Sequence, residues 1–258
     1  MLPRLHLLEI EDQPWCPAPV RDALTDYLQF AIERFQPYRA IGRRLHDAVR
    51  RTGARQIVDL CAGGGGPWPE LLDQAGLDEV RVRLTDRFPN REAFERMRRR
   101  APDRVGAEEE PVDATAVPGR LRGFRTIFSS FHHFPPRVAT AILADAVRRR
   151  EGIAVLEGAE RHWLALLWML FTPLIVLVAM PTVRPVRISR LVLTYLIPIV
   201  PLVVLWDGIV SCLRCYTPRE LEELARSADT GQTYDWEAGH QRVRRTFLRI
   251  TYLIGVPL

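Results

Sequence analysis

Apolar side chains recur at helical spacing through residues 20–51, where Leu24, Tyr27, Leu28, Ala31 and Ile32 fall on one stripe. One or two helices are predicted there, broken at Gln36-Pro37, because proline lacks the amide hydrogen a helix interior needs and its ring clashes with the preceding turn. From Arg55 the pattern changes. Short apolar runs at 56–61, 80–85, 124–131 and 152–156 alternate with segments of helical period, among them 91–100 and 138–150. Strands separated by helices predict a parallel α/β sheet with crossover connections. The alternation then stops. Residues 163–183 carry no charged side chain, nor do residues 191–206, and between them lie Arg184, Arg187 and Arg190. After Asp207 the chain is amphipathic again. Thr217-Pro218-Arg219-Glu220 has the form of a capped helix start, with proline in the first turn and an acid three residues after the threonine. Residues 249–257 read as a last buried strand.

This pattern divides the chain into an N-terminal helical cap (1–53), a sheet-forming core (54–160), an apolar helical hairpin (161–206) and a C-terminal part of the core (207–258). The first apolar block is long enough to cross a bilayer, which takes about 20 residues, whereas the second reaches that length only by including Asp207. Two crossings from a cytoplasmic sheet-forming core would leave the three arginines on the far side, against the positive-inside tendency. Pro173, Pro181, Pro185, Pro198 and Pro201 also favour short or kinked helices. A hairpin that dips into or lies on one leaflet, with Arg184, Arg187 and Arg190 near anionic headgroups, is therefore expected at the cytoplasmic face of a membrane. A buried lid or a subunit interface is the alternative.

Composition changes this picture little. With 258 residues, 47% of them hydrophobic, there is enough material for a sizeable core. The net charge of +5 comes from arginine, since the chain contains no lysine. The clusters Arg98-Arg99-Arg100 and Arg148-Arg149-Arg150 close predicted helices, where cations complement the C-terminal dipole, and with Arg244-Arg245 they do not make a nucleic-acid footprint. Cys16, Cys61, Cys212 and Cys215 form no paired framework and are expected as free thiols. The Cys212-x-x-Cys215 pair lacks the further ligands of a zinc site, so no metal is expected.

Candidate chemistry begins at Ile57-Val58-Asp59-Leu60-Cys61-Ala62-Gly63-Gly64-Gly65-Gly66. A strand that runs into glycines and then a helix lets backbone amides approach a ligand, because glycine has no Cβ to hold it off. A dinucleotide site requires G-x-G-x-x-G, and its third position here is Trp68 or Pro69. A dinucleotide-linked reductase is therefore the weaker alternative. What remains is Asp59-x-x-x-Gly63-x-Gly65 and then Asp86 at the end of the next apolar run, followed by Asp113 within Pro111-Val112-Asp113-Ala114-Thr115 and by the segment containing Ser129, His132 and His133.

In this order of motifs, over about residues 55–160 and more loosely 207–258, the sequence resembles the class I S-adenosylmethionine-dependent methyltransferases. Cys61 and Ala62 stand where many members of that superfamily carry glycine. The resemblance implies a Rossmann-like, mostly parallel seven-stranded sheet with helices on both faces, and S-adenosyl-L-methionine as cofactor. It implies that Asp59 orders the glycine loop, that Gly63 and Gly65 bring backbone to the cofactor, that Asp86 holds the ribose hydroxyls, and that Asp113 contacts adenine. Ser129 belongs to the segment that ends at the reacting groups. His133 and His132 are the candidate general bases, His133 slightly preferred. Only one of them is expected to serve, because adjacent side chains on an extended segment point oppositely. Ser129-Ser130-Phe131-His132 lacks the Asn/Asp-Pro-Pro-aromatic tetrad of nucleobase amino-methyltransferases, which argues against a DNA base as substrate. Asp207, Arg214 and Tyr216 are candidates for the acceptor pocket and equally for a helix start and a surface ion pair; Glu157 is similarly open. The expected activity is methyl transfer to an O, N or C nucleophile on a hydrophobic small molecule or lipid, with a non-catalytic membrane scaffold as the alternative.

Overall fold

In the computed structural model, which describes residues 2–73, 77, 79–244, 246 and 248–258 and only the backbone of Pro69, the apolar runs become strands. These are β1 (Gln56–Leu60), β2 (Arg81–Leu84), β3 (Val105–Ala107), β4 (Phe124–Phe128), β5 (Ile153–Glu157), β6 (Tyr234–Arg242) and β7 (Arg249–Pro257). The helices are α1 (Ala18–Phe35), α2 (Gly42–Thr52), α3 (Trp68–Leu72), α4 (Arg91–Arg100), α5 (Pro136–Arg149), α6 (Trp163–Met169), α7 (Thr172–Ala179), α8 (Ile188–Leu191), α9 (Ile199–Arg214) and α10 (Pro218–Ala228). They fold as two compact units, one of Gln36–Gly158 with Tyr216–Leu258, the other of Met1–Phe35 with Ala159–Cys215.

The first unit holds one seven-stranded sheet in the order β3-β2-β1-β4-β5-β7-β6. Strands β1 to β5 run parallel, and β7 is antiparallel to both neighbours. The chain builds outward from β1 to β3 and then returns to β4 on the other side of β1. That reversal opens a crevice beyond the carboxyl ends of β1 and β4, where ligands bind in open α/β sheets. The central strands β4 and β5 are buried along their whole length and β1 from Ile57 to Leu60, as expected of strands covered on both faces. Two strands do not announce themselves as apolar runs. Strand β3 has only three residues, one of them glycine, and the edge strand β6 alternates exposed Asp235 and Glu237 with half-buried side chains. The core beside β4 and β5 is built from Val58, Leu60, Ile127, Phe131, Ile142, Leu143, Val155 and Leu221. Helix α10 starts on the predicted capping box: the Thr217 hydroxyl accepts from the Glu220 amide, and the Glu220 carboxylate accepts from the Thr217 amide.

In the second unit the apolar blocks form bent pairs of helices, as the prolines lead one to expect: α6 and α7 are bent by 43°, and the stretch from α8 to α9 by 81°. Among the described residues no single helix is long and apolar enough to cross a membrane. The prolines account for the breaks: Pro173 opens α7, and Pro198 precedes α9 after a π-helical turn at Val192–Leu196. The headgroup position expected of Arg190 is corrected. It is buried, its guanidinium 2.6 Å from Asp26 of α1 and donating to the carbonyls of Val183 and Pro185, while Arg187 lies 3.4 Å from the same carboxylate. These two cations hold the turn before α8 onto α1, and Arg184 alone of the three stays exposed. Residues 1–53 do not form one cap, since α1 belongs to this unit and α2 to the sheet, parted at Gln36, whose backbone is left-handed (φ 47°). Likewise residues 207–214 continue α9.

Candidate functional site

The crevice end of the sheet gathers most of the candidate residues, and the structure gives them different tasks. Asp59, at the end of β1, is 1% exposed. Its carboxylate accepts from the Trp68 indole N–H (2.8 Å) and from the Thr126 hydroxyl (2.7 Å). It thereby ties β1 to β4 and to the first residue of α3, and acts on the glycine loop from inside the protein. Burial pushes its carboxyl up to about 7, against the opposing pull of the bonds from Thr126 and Trp68. Trp68 and Thr126 were not among the sequence candidates. Trp68 could have been suspected, because it occupies the position a dinucleotide loop reserves for its third glycine, and here the indole fills that space.

The glycines divide their work. Gly63 has φ +48° and open space where a side chain would stand, so it presents bare backbone to the crevice. At Gly65, by contrast, φ is +112° and an added Cβ would lie 2.4 Å from Cγ of Met97 on α4. Gly65 lets the loop pack on α4, and its amide closes a turn to the Ala62 carbonyl (2.7 Å). Cys61 takes the left-handed conformation itself, with φ 59°, a region that costs a residue with a Cβ about 1–2 kcal/mol. The turn therefore forms without the glycine many superfamily members carry there. Burial, helped by the charges of Asp86, Asp59 and Asp113, pushes the Cys61 thiol pKa up.

Asp86, just past β2, is half-buried. One carboxylate oxygen accepts from the Gly63 amide (2.9 Å) and the other from the Phe88 amide (2.8 Å). It thus orders the loop while keeping acceptor capacity on both oxygens. Burial raises its pKa, opposed by these backbone bonds and by the charge of His133. Asp113 is exposed and bonds its own turn through the Thr115 amide and hydroxyl, which hold its pKa down. A backbone bond from the Val112 amide to the Asp86 carbonyl (2.8 Å) links the two acid-bearing loops.

Beyond β4, Phe131–His133 is a 3₁₀ turn, not an extended segment. The expectation that the two imidazoles point oppositely is therefore corrected: their rings lie 4.4 Å apart, tilted by 32°. They differ in partners. His132 is buried, and its Nδ1 lies 2.8 Å from a carboxylate oxygen of Glu157 at the end of β5, whose other oxygen accepts from the Phe131 and His132 amides. His133 is half-buried, and its charge reaches Asp86. Glu157 thus joins the site through a contact that spacing in the sequence does not reveal. Ser129, left-handed at φ 43°, accepts from the Gly158 amide (3.0 Å) and shares a hydrogen bond with the Tyr38 hydroxyl. Its hydroxyl serves the junction of β4 and β5.

Of the acceptor-pocket candidates, Tyr216 is buried and donates to the Phe134 carbonyl (2.7 Å). Asp207 and Arg214 lie in the other unit and hold the N-terminal segment. Asp207 accepts from the Ile10 and Glu11 amides, and Arg214 pairs with Glu9 and Asp12 and donates to the Leu7 carbonyl. The arginine clusters are engaged too: Arg98 and Arg99 with Glu95, Arg100 with Glu70, Arg148 with Asp145. Arg245 lies outside the described residues.

No protein-family model matches the sequence, and no curated protein matches it. Solved structures do. The plantazolicin methyltransferase BpumL, in complex with SAH, is 10% identical with a TM-score of 0.56, over 96% of this chain and 95% of its own. An O-methyltransferase from neocarzinostatin biosynthesis, NcsB1, in complex with SAH and 1,4-dihydroxy-2-naphthoic acid, is 14% identical with a TM-score of 0.54, over 93% of this chain and 59% of its own. Human N-acetylserotonin methyltransferase in complex with SAM is 12% identical with a TM-score of 0.52, over 92% of this chain and 56% of its own. The chain thus spans nearly the whole of BpumL and somewhat more than half of the other two. It has the fold of the class I S-adenosylmethionine-dependent methyltransferases.

Proposed function

We propose that the protein is an S-adenosyl-L-methionine-dependent methyltransferase acting on an O, N or C nucleophile of a hydrophobic small molecule, with His132 as general base. The observation that carries this reading is the Glu157–His132 pair at the carboxyl ends of β4 and β5, on the same crevice as Gly63, Asp86 and Asp113. The crevice residues fit the cofactor. Asp86 keeps acceptor capacity for vicinal hydroxyls, Gly63 leaves the loop backbone open, and Asp113 is exposed at the loop where the superfamily contacts adenine. When bound, the cofactor supplies a methyl group already attached to a good leaving group.

The chain's own residues then have positional and proton-handling work. With Glu157 ionised, Nδ1–H of His132 donates to it, which fixes the ring and leaves Nε2 as the basic atom. A proton taken at Nε2 produces an imidazolium that the Glu157 carboxylate stabilises. This reverses the slight preference for His133, whose charge acts on Asp86. The small-molecule acceptor is supported by fold neighbours that hold naphthoic acids.

The hydrophobic character of the acceptor and a place on a membrane surface rest on the second unit. Its helices expose Trp163, Phe171, Leu174, Leu196 and Leu202, and Val178 and Ile188 are each 80% exposed. Free-standing apolar area of this kind costs about 25 cal/mol per Å² in water. We place it against one leaflet, with Arg184 toward the headgroups.

Two measurements test the proposal. Incubation with isotopically labelled S-adenosyl-L-methionine and a fractionated lipid extract should yield S-adenosylhomocysteine and a product heavier by one CH₂. A protein that neither binds S-adenosylhomocysteine in calorimetry nor forms it would be a scaffold. Flotation with anionic liposomes tests the surface separately: a chain that stays monomeric and at the bottom of the gradient has its apolar helices covered some other way.

A further inference from the structure

We infer that Tyr38 is a positioning residue for the Glu157–His132 pair, an inference that rests on the base assignment above. Tyr38 lies in the 3₁₀ turn Pro37–Ala40, far in sequence from both partners, and is 2% exposed. Its ring packs edge-on against Phe128, the last residue of β4, with centroids 4.9 Å apart. Its hydroxyl shares a hydrogen bond with the Ser129 hydroxyl, and that same oxygen accepts from the Gly158 amide at 3.0 Å.

The three groups form a node at the point where β4 and β5 part. Ser129 precedes His132 by three residues, and Gly158 directly follows Glu157. Beside the node the Glu157 carboxylate joins the two strand ends, bonded to the Phe131 amide, the His132 amide and the His132 ring. The node therefore fixes how far apart the chain ends carrying the acid and the base stand. Two features show it is tight. Ser129 sits in the left-handed region, and a Cβ at Gly158 would lie 3.0 Å from the Tyr38 hydroxyl and 3.1 Å from the Ser129 hydroxyl. A buried phenol hydroxyl contributes more here than packing, because phenylalanine would keep the Phe128 ring contact and lose the bridge.

The experiment uses proton NMR of the full chain. In the native protein the Nδ1–H of His132, held by Glu157, should give a slowly exchanging downfield resonance, identified by its absence in His132→Asn. Tyr38→Phe should broaden that resonance or move it upfield. The Trp68 indole N–H, held by Asp59, should stay in place, and S-adenosylhomocysteine affinity in calorimetry should change less than twofold. A general loosening of the fold would move all three together. Gly158→Ala perturbs the node from the opposite side and should give the same selective effect if Tyr38→Phe fails to fold. An unchanged His132 resonance in a folded Tyr38 or Gly158 variant overturns the inference, and so does equal loss of all three signals. Failure of methyl transfer with the selective effect intact would count against the proposed reaction and leave the positioning role standing.

Discussion

Replacing Asp59 with asparagine should remove a large pH dependence from the stability of this fold. The Asp59 carboxyl is buried at the end of β1, accepts two hydrogen bonds, and titrates at about 7, against an ordinary value of 3.8. Between these values the unfolded chain has released the proton and the native protein still holds it. The native state then binds more protons, so stability is complete below about pH 4 and falls as the pH rises to about 7. At about 1.36 kcal/mol per pH unit the loss amounts to about 4 kcal/mol. Asparagine fits the same site, with its oxygen accepting from the Trp68 indole and its amide donating to Thr126, whose hydroxyl turns to accept. It does not ionise. Urea denaturation of both proteins from pH 4 to pH 8 gives the test as a difference, in which titrations common to both cancel. The asparagine variant should gain about 4 kcal/mol relative to the native protein across that range. Asp59→Ala should instead lose about 1–3 kcal/mol at low pH, because it leaves the buried Trp68 indole unpaired. A difference between native and asparagine proteins that stays flat with pH would refute the reasoning, since it would mean that the carboxyl ionises at its ordinary value despite its burial.

Other expectations follow from the same geometry. If Asp86 holds the ribose hydroxyls as proposed, Asp86→Ala, which also removes the acceptor of the Gly63 amide, should weaken S-adenosylhomocysteine binding by about 1.5–3 kcal/mol in calorimetry; unchanged affinity would take the carboxylate out of the cofactor site. His132→Asn should lower turnover roughly 100-fold with cofactor affinity nearly intact, and His133→Asn should do far less; equal small effects would mean that proximity alone runs the reaction. Gly65→Ala places a methyl group 2.4 Å from Met97 Cγ at a backbone angle unfavourable to L residues, and should cost about 2–4 kcal/mol in urea denaturation. Alanine at Gly63, which faces open space, should cost less in stability and more in cofactor affinity.

The sheet was legible wherever burial is complete on both faces, because a strand covered on both sides reads as a continuous apolar run. That holds for β4, β5 and most of β1, and it fails for the three-residue β3 and for β6, an edge strand that shows its charges to solvent. The apolar insertion was legible as composition and not as shape. Periodicity shows which residues avoid water, but the breaks after Phe171 and Ile197 arise where prolines meet particular turns, and the burial of Arg190 depends on Asp26, 164 residues earlier in the chain. A charge between two apolar blocks looks the same in sequence whether it faces a headgroup or a buried carboxylate.

The site divides along a similar line. Asp59, the glycines, Asp86 and Asp113 were legible because each sits at a fixed step of the strand-loop-helix repeat, so order along the chain stands in for position in space. His132 and Glu157 come together across strands, and no spacing in the sequence encodes that Glu157 on β5 bonds the His132 ring. Even the adjacent histidines misled, since an extended segment would separate their rings while the 3₁₀ turn brings them within 4.4 Å. The turn itself is held by the Glu157 carboxylate, which accepts its first two amides. One buried acid thus bonds both the backbone of the turn and the His132 ring, and in the proposed mechanism it is what favours His132. Glu157→Gln is consequently the substitution that should blur the distinction between His132 and His133 while leaving Gly63, Asp86 and the cofactor half of the crevice as they are.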